Sequence, residues 1–178
     1  ETPVEYRAKR VRAFRMLKPQ QAQFDAKRVK PLGEPAEPLS ATKSFLFTGG
    51  NKTPYPVNRF DSDPERRLAY AMDGERFPDV LKWLRPAAGQ FSIEYDRNRR
   101  YDPDFVVECR DCKMIIEVKA SDKMTDVEVQ EKARAAQKWV SVANGFVNEA
   151  DGKAWHYILL DEKDVSQSLT LQSLKAKS

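Results

Sequence analysis

Histidine and cysteine are nearly absent from this chain: His156 stands alone, and Cys109 and Cys112 are the only thiols. A four-ligand structural zinc site therefore cannot be completed from these residue types within one chain, and the Cys-x-x-Cys pair is expected as a reduced hairpin turn. No apolar run approaches the roughly 20 residues that a membrane-spanning helix needs, and the first residues are charged rather than signal-like, so a soluble, cytoplasmic protein is expected. No Gly-x-x-x-x-Gly-Lys-Ser/Thr phosphate loop occurs, which excludes ATP binding and ATP-driven translocation from the expectations for this chain. Charge of one sign is in small excess, with 31 basic against 27 acidic residues and a net charge of +4. That balance hints at a polyanionic partner without establishing one. The chain starts at Glu1 rather than Met, as a piece of a longer polypeptide would.

What is present is unevenly distributed. Within residues 1–30, Arg7, Lys9, Arg10, Arg12, Arg15, Lys18, Lys27, Arg28 and Lys30 face only Glu1, Glu5 and Asp25, an arm that could follow a phosphate backbone. Prolines 19, 31, 35, 38, 54 and 56 and the Gly49-Gly50 pair crowd the stretch that follows, broken only by the short apolar run Ser44 to Thr48. Residues 1–58 therefore read as a basic, proline-rich arm or linker, residues 59–165 as one folded domain, and residues 166–178 as a tail of helical pattern.

The hydrophobic fraction of 40% supports a real core. Ser62-Asp63-Pro64-Glu65 opens a helix running to about Met72, and more helix is expected from Pro78 to Leu84. Phe91, Ile93 and Tyr95 alternate with polar residues; Phe105 to Val107 and Met114 to Ile116 are short apolar runs; all three read as strands. Val129, Ala133, Ala136, Val140 and Ala143 recur at helical spacing between Thr125 and Ala143. Trp155 to Leu160 reads as a further strand and Asp161 to Leu174 as a terminal helix. The αβββαβ order predicts an α/β unit, a central mixed sheet flanked by helices, behind an irregular N-terminal arm.

A hairpin closed by Cys109-Arg110-Asp111-Cys112 sets Glu108 opposite Lys113, and counting back sets Asp104 opposite Glu117. Directly opposed side chains share a face with β-carbons about 5 Å apart. Lys119 lies on the face of Glu117, one step along the strand. Paired carboxylates are costly unless something positive neutralises them, and hard oxygen ligands suit Mg²⁺ or Mn²⁺. Such a cation would hold a phosphate oxygen and lower the pKa of a water. Lys119 would orient or deprotonate that water, or stabilise the developing charge.

Asp102-Pro103-Asp104 followed by Glu117-Val118-Lys119 resembles the PD-(D/E)xK motif of restriction-endonuclease-like nucleases. With Phe60 to Arg66, Tyr101 to Val107, Ile116 to Lys119 and Trp155 to Leu160 in that order, residues from about Phe60 to Val165 resemble the C-terminal nuclease region of type III restriction enzyme restriction subunits. The resemblance implies a DNA endonuclease serving defence against foreign DNA, with Asp104 and Glu117 as metal ligands, Lys119 as the catalytic lysine and Glu65 as a first-helix acid that completes the site. It also implies a helicase or translocase domain in the parent polypeptide and a methyltransferase partner subunit. A transposon-end or repair nuclease shares the same core, and a non-catalytic DNA-binding or assembly module is the reading from another class.

Several residues carry two readings. Glu65 also completes a Ser-x-x-Glu capping box, and Asp102 suits the turn before a strand. Arg97, Arg99 and Arg100 crowd a tight turn as either a solvated surface or phosphate contacts, and Lys132 on the long helix could approach the DNA backbone. His156, Trp139 and Trp155 read as structural.

Overall fold

The computed structural model describes residues 28–147 and 152–178. Most of the basic arm, with its expected phosphate contacts, lies outside the described residues. Ser62 is extended, with φ −144° and ψ 159°, and Pro64 follows within the first turn, so helix α1 (Asp63–Asp73) begins where its capping chemistry predicts. The box is altered: Glu65 accepts from the Ser62 hydroxyl at 2.9 Å and reaches back to the amide of Asp61 at 3.1 Å, one residue before the cap.

The main sheet has the strand order β4 (Val80–Leu84), β7 (Phe105–Cys109), β8 (Cys112–Lys119), β9 (Ala154–Asp161). The β7–β8 hairpin keeps the expected register, with Glu108 opposite Lys113 and Phe105 opposite Ile116, while β9 runs parallel to β8. Strand β8 is central and almost wholly buried, as its Met114-Ile115-Ile116 run requires. Period-two alternation divides it between two cores. Met114, Ile116 and Val118 pack with Leu68, Ala69 and Met72 of α1, whereas Ile115 packs with Ala133 and Ala136 of helix α2 (Val127–Asn144). Both faces of a mixed sheet are thus covered by helices. Among the described residues no helix is long and apolar enough to cross a membrane.

The αβββαβ order holds in this sheet with one exchange of members. Val80–Leu84, expected as helix, is strand β4, antiparallel to β7. Its register slips between Val80 and Lys82, and the buried side chains Val80 and Trp83 fall three apart. A bulge has given a strand the burial spacing of a helix, and five residues are too few for periodicity to arbitrate. The alternating segment around Ile93 lies outside the main sheet and forms a separate ribbon, β5 (Ile93–Asp96) with β6 (Arg99–Tyr101). Its two-residue turn sets Asn98 at φ 60°, a conformation that Asn tolerates.

The stretch up to residue 58 also departs from a bare linker. Strands β1 (Val29–Pro31), β2 (Leu46–Thr48) and β3 (Val57–Asn58) form a small sheet, and its apolar residues carry it into the α1-side core. Leu32 and Phe47 are buried there with Phe60, and the Phe47, Phe60 and Phe105 rings follow one another at 5.7 and 6.2 Å. Polar bonds complete the attachment. The Lys52 ammonium donates to the carbonyls of Met72, Gly74 and Phe77 at 3.0–3.1 Å, capping the end of α1. The Asp73 carboxylate accepts from the amides of Asn51 and Lys52 and from Trp83 Nε1, all within 2.9 Å.

The expected helix from Asp161 to Leu174 is instead a 3₁₀ turn, Glu162–Asp164, and a short helix α3 (Leu171–Lys175). Thr170 and Ser173 form a capping box that restarts the helix after Ser166 and Ser168. Cys109 and Cys112 are free and buried beside the hairpin turn; burial foremost pushes the Cys109 thiol up to about 12, which leaves it inert at neutral pH.

Candidate active site

Glu117 and Lys119 follow Ile115 on the α2 face of β8, and Asp104 enters the same face from the residue preceding β7. The three groups meet. Lys119 Nζ lies 2.9 Å from Glu117 Oε2 and 3.5 Å from Asp104 Oδ2, and Asp104 Oδ2 also accepts from the Val118 amide at 2.8 Å. That last bond fixes the Asp104 carboxylate to the backbone of the strand that bears the other two residues.

Glu117 is 3% exposed. Burial, and secondly Asp104, push its carboxyl up to about 8 against the opposing pull of Lys119 and Lys132. Burial works against a charged Lys119 as well, but Asp104 and Glu117 outweigh it and hold the ammonium above its ordinary range. Tyr101 and Tyr157 line the same region; burial, then Glu117, keeps both phenols protonated.

Sequence reasoning missed Arg85, which follows β4. Its Nη2 lies 2.5 Å from Asp61 Oδ2, its Nη1 2.6 Å from Glu65 Oε2 and 4.0 Å from Asp104 Oδ1. The guanidinium also covers the Phe60 ring at 5.7 Å. Asp104 is consequently bracketed by two cations, Lys119 towards one oxygen and Arg85 towards the other. Glu65 arrives from the opposite helical layer and is committed to Ser62, the Asp61 amide and Arg85. Its carboxyl is raised, by burial first and by Asp104, with Arg85 opposing.

The donor set suits a hard divalent cation. Glu117 Oε1 is buried with no hydrogen-bond partner, and an orphaned carboxylate oxygen in such a place calls for one. Two carboxylates supply that fit; among the described residues no group of three acids, histidines or cysteines is arranged around a common point.

The residues expected at DNA lie on and beside the ribbon. Arg97 is exposed in the β5–β6 turn. Arg99 lies 3.5 Å from Glu128 and covers Tyr95 at 5.0 Å, and Arg100 lies 3.3 Å from Glu94. Lys132 pairs with Glu128 at 2.8 Å with its ammonium over Tyr95 and Tyr101. Asp102, expected to favour the turn before its strand, instead ties down the loop ahead of β5, accepting from the Gly89 amide at 2.9 Å and from the Ser92 hydroxyl. His156 meets Ser178, and Trp139 and Trp155 pack edge to face at 5.0 Å, away from catalytic duty.

Residues 77–144 match the family model described as TnsA-like endonuclease N terminal. That stretch runs from the start of β4 through the whole of α2, and it contains Arg85, Asp104, Glu117, Lys119 and Lys132. No curated protein matches the chain. The mixed sheet between helices is a restriction-endonuclease-like fold, and the match supports a nuclease of that fold, in the PD-(D/E)xK class.

Proposed function

We propose that the chain is a divalent-metal-dependent DNA endonuclease domain in which Asp104 and Glu117 hold the cation, Mg²⁺ or Mn²⁺, and Lys119 acts on the reacting phosphate. The observation that carries this reading is the convergence of two carboxylates and a lysine on one sheet face, with Glu117 Oε1 buried and unpartnered. When bound, the cation supplies Lewis-acid stabilisation of phosphate charge and a more acidic water. Lys119, with its pKa raised, is an ammonium at neutral pH; it supports developing negative charge or donates a proton more readily than it abstracts one. The exposed arginines of the ribbon and Lys132 are proposed to meet the backbone phosphates.

Two biological settings fit this chemistry. One is the cleavage module of a type III-like restriction enzyme, with a translocase and a methyltransferase as companions. The other, a transposon-end nuclease, gains from the match to a TnsA-like endonuclease.

Cleavage of supercoiled plasmid with Mg²⁺, Mn²⁺ or EDTA tests the common reading, beside Asp104→Asn and Lys119→Met. Asn can still accept the Val118 amide, so loss of cutting there reports lost charge rather than lost structure. Metal-dependent nicking absent from both variants is expected. Nicking that persists in both would overturn the site.

A further inference from the structure

Lys119 offsets one charge of the Asp104–Glu117 pair, and Arg85 brings a second buried cation to the same place. Arg85 is only 16% exposed at its side chain, and its Nη1 lies 2.6 Å from Glu65 Oε2, on a side chain 7% exposed, and 4.0 Å from Asp104 Oδ1. Its other terminal nitrogen is on Asp61, whose side chain is 75% exposed at the mouth of the site. The guanidinium thus bridges an outer, solvated carboxylate and an inner, buried one. Glu65 is 5% exposed and shares one Arg85 nitrogen with Asp104, at 2.6 and 4.0 Å, so it is a third acid beside the proposed cation site, neutralised from the other side.

We propose that Arg85 is a positioning residue that withholds Glu65 from the cation site until a DNA phosphate draws the guanidinium outward. The proposal rests on the metal-dependent nuclease reading. A guanidinium binds carboxylate and phosphate through the same fork, so exchanging Glu65 for a backbone phosphate replaces one anion by another. Asp61 keeps the side chain at the mouth during the exchange. Glu65, freed of that counter-charge, adds a third carboxylate to the pair formed by Asp104 and Glu117 by giving up its bonds from the Ser62 hydroxyl and the Asp61 amide. The cation is then held most tightly when substrate is present.

Calorimetric titration of the whole chain with Mn²⁺ is the test, with and without a short duplex made resistant to cleavage by phosphorothioate linkages. Arg85→Gln is expected to bind Mn²⁺ about tenfold tighter than the wild type without DNA, the scale on which one added carboxylate tunes a divalent site. Glu65→Gln should erase that gain when combined with Arg85→Gln, and the duplex should tighten Mn²⁺ binding more in the wild type than in Arg85→Gln. Arg85→Lys, which keeps a charge, should fall between and serves if Arg85→Gln does not fold. Asp104→Asn marks the site. Asp104-dependent Mn²⁺ binding that Arg85→Gln and Arg85→Lys leave unchanged or weaken would overturn the role of Arg85 and leave the nuclease reading standing. Absence of Asp104-dependent binding in every variant would overturn both.

Discussion

Glu117→Gln should make the protein more stable at alkaline pH, in spite of removing a buried charged group. The carboxyl is raised from 4.5 to about 8 in the folded protein. Below 4.5 both folded and unfolded chains carry this proton; between the two values only the folded chain does; above about 8 neither does. The stability associated with protonated Glu117 is therefore fully present below 4.5 and lost as pH rises through 8. At about 1.4 kcal/mol per unit, the loss has a ceiling of about 5 kcal/mol. Glutamine cannot ionise, so it escapes that loss; the pull of Lys119 on the charged carboxylate is already contained in the value of about 8, and the ceiling is reduced by the poorer fit of an amide at the 2.9 Å contact. The expected net gain near pH 8.5 is about 2 kcal/mol, which raises the melting temperature by about 4–8 °C in a domain of this size. Near pH 5 the variant should have lost this advantage. Thermal melting from pH 5 to 9 in EDTA, followed by circular dichroism, measures both limbs. Parallel pH profiles for the wild type and Glu117→Gln would refute the argument, because the slope belongs to this carboxyl. Adding Mn²⁺ at pH 8.5 should stabilise the wild type and leave Glu117→Gln nearly unmoved, since a ligand stabilises only the fold that binds it.

Arg97→Glu with Arg100→Glu should weaken DNA binding while leaving the melting temperature within about 2 °C, and the slope of log affinity against log salt should flatten by about 1 for each phosphate left without its arginine; an unchanged slope in fluorescence anisotropy would remove the ribbon from the interface. Asp73→Ala strips the acceptor from two backbone amides and the Trp83 indole and should cost about 2–3 kcal/mol in urea unfolding, at about 1 kcal/mol or a little more for each of the two part-buried donors, since the exposed Asn51 amide turns to water; a loss below about 1 kcal/mol would show that the β1–β3 segment does not depend on this junction. Ile116→Ala, at a fully buried position of the central strand, should cost about 2–5 kcal/mol by the same measurement, and a smaller loss would mean that the α1-side core closes over the cavity.

The Asp104, Glu117 and Lys119 constellation was legible because a hairpin with a two-residue turn converts sequence separation into spatial register with no free parameter. Cys109 and Cys112 flank Arg110-Asp111, so each pair back along the strands follows by counting, and the structure keeps that count from Glu108 opposite Lys113 to Phe105 opposite Ile116. Helix α2 was legible for a similar reason, since eighteen residues give periodicity room to declare itself. Strand β4 was not. Its bulge displaces one residue, and Val80 and Trp83 then bury at a spacing that reads as helical. The N-terminal strands failed for another reason: two or three residues each, they are held by Phe47 against Phe60 and by Lys52 against the end of α1, partners that only the tertiary fold supplies.

Arg85 shows what such a miss removes from a functional reading. A residue at the end of a misread element has no face, so nothing in the sequence could direct its guanidinium towards Asp61, Glu65 and Asp104. Glu65 carries two readings of its own, helix cap from the Ser-x-x-Glu spacing and metal ligand from the family resemblance. In the structure these cease to be alternatives in one state: the carboxylate serves the helix start and Arg85 together, and a role at the cation requires the guanidinium to leave. On the proposal made for Arg85, whether Glu65 ligates the cation depends on the counter-ion that the guanidinium holds. If that exchange governs the site, Arg85→Gln should lower the Mg²⁺ concentration for half-maximal cutting and relax its dependence on DNA concentration, while leaving the maximal rate within a few-fold. A maximal rate that falls in step with that of Asp104→Asn would instead place Arg85 on the reacting phosphate itself.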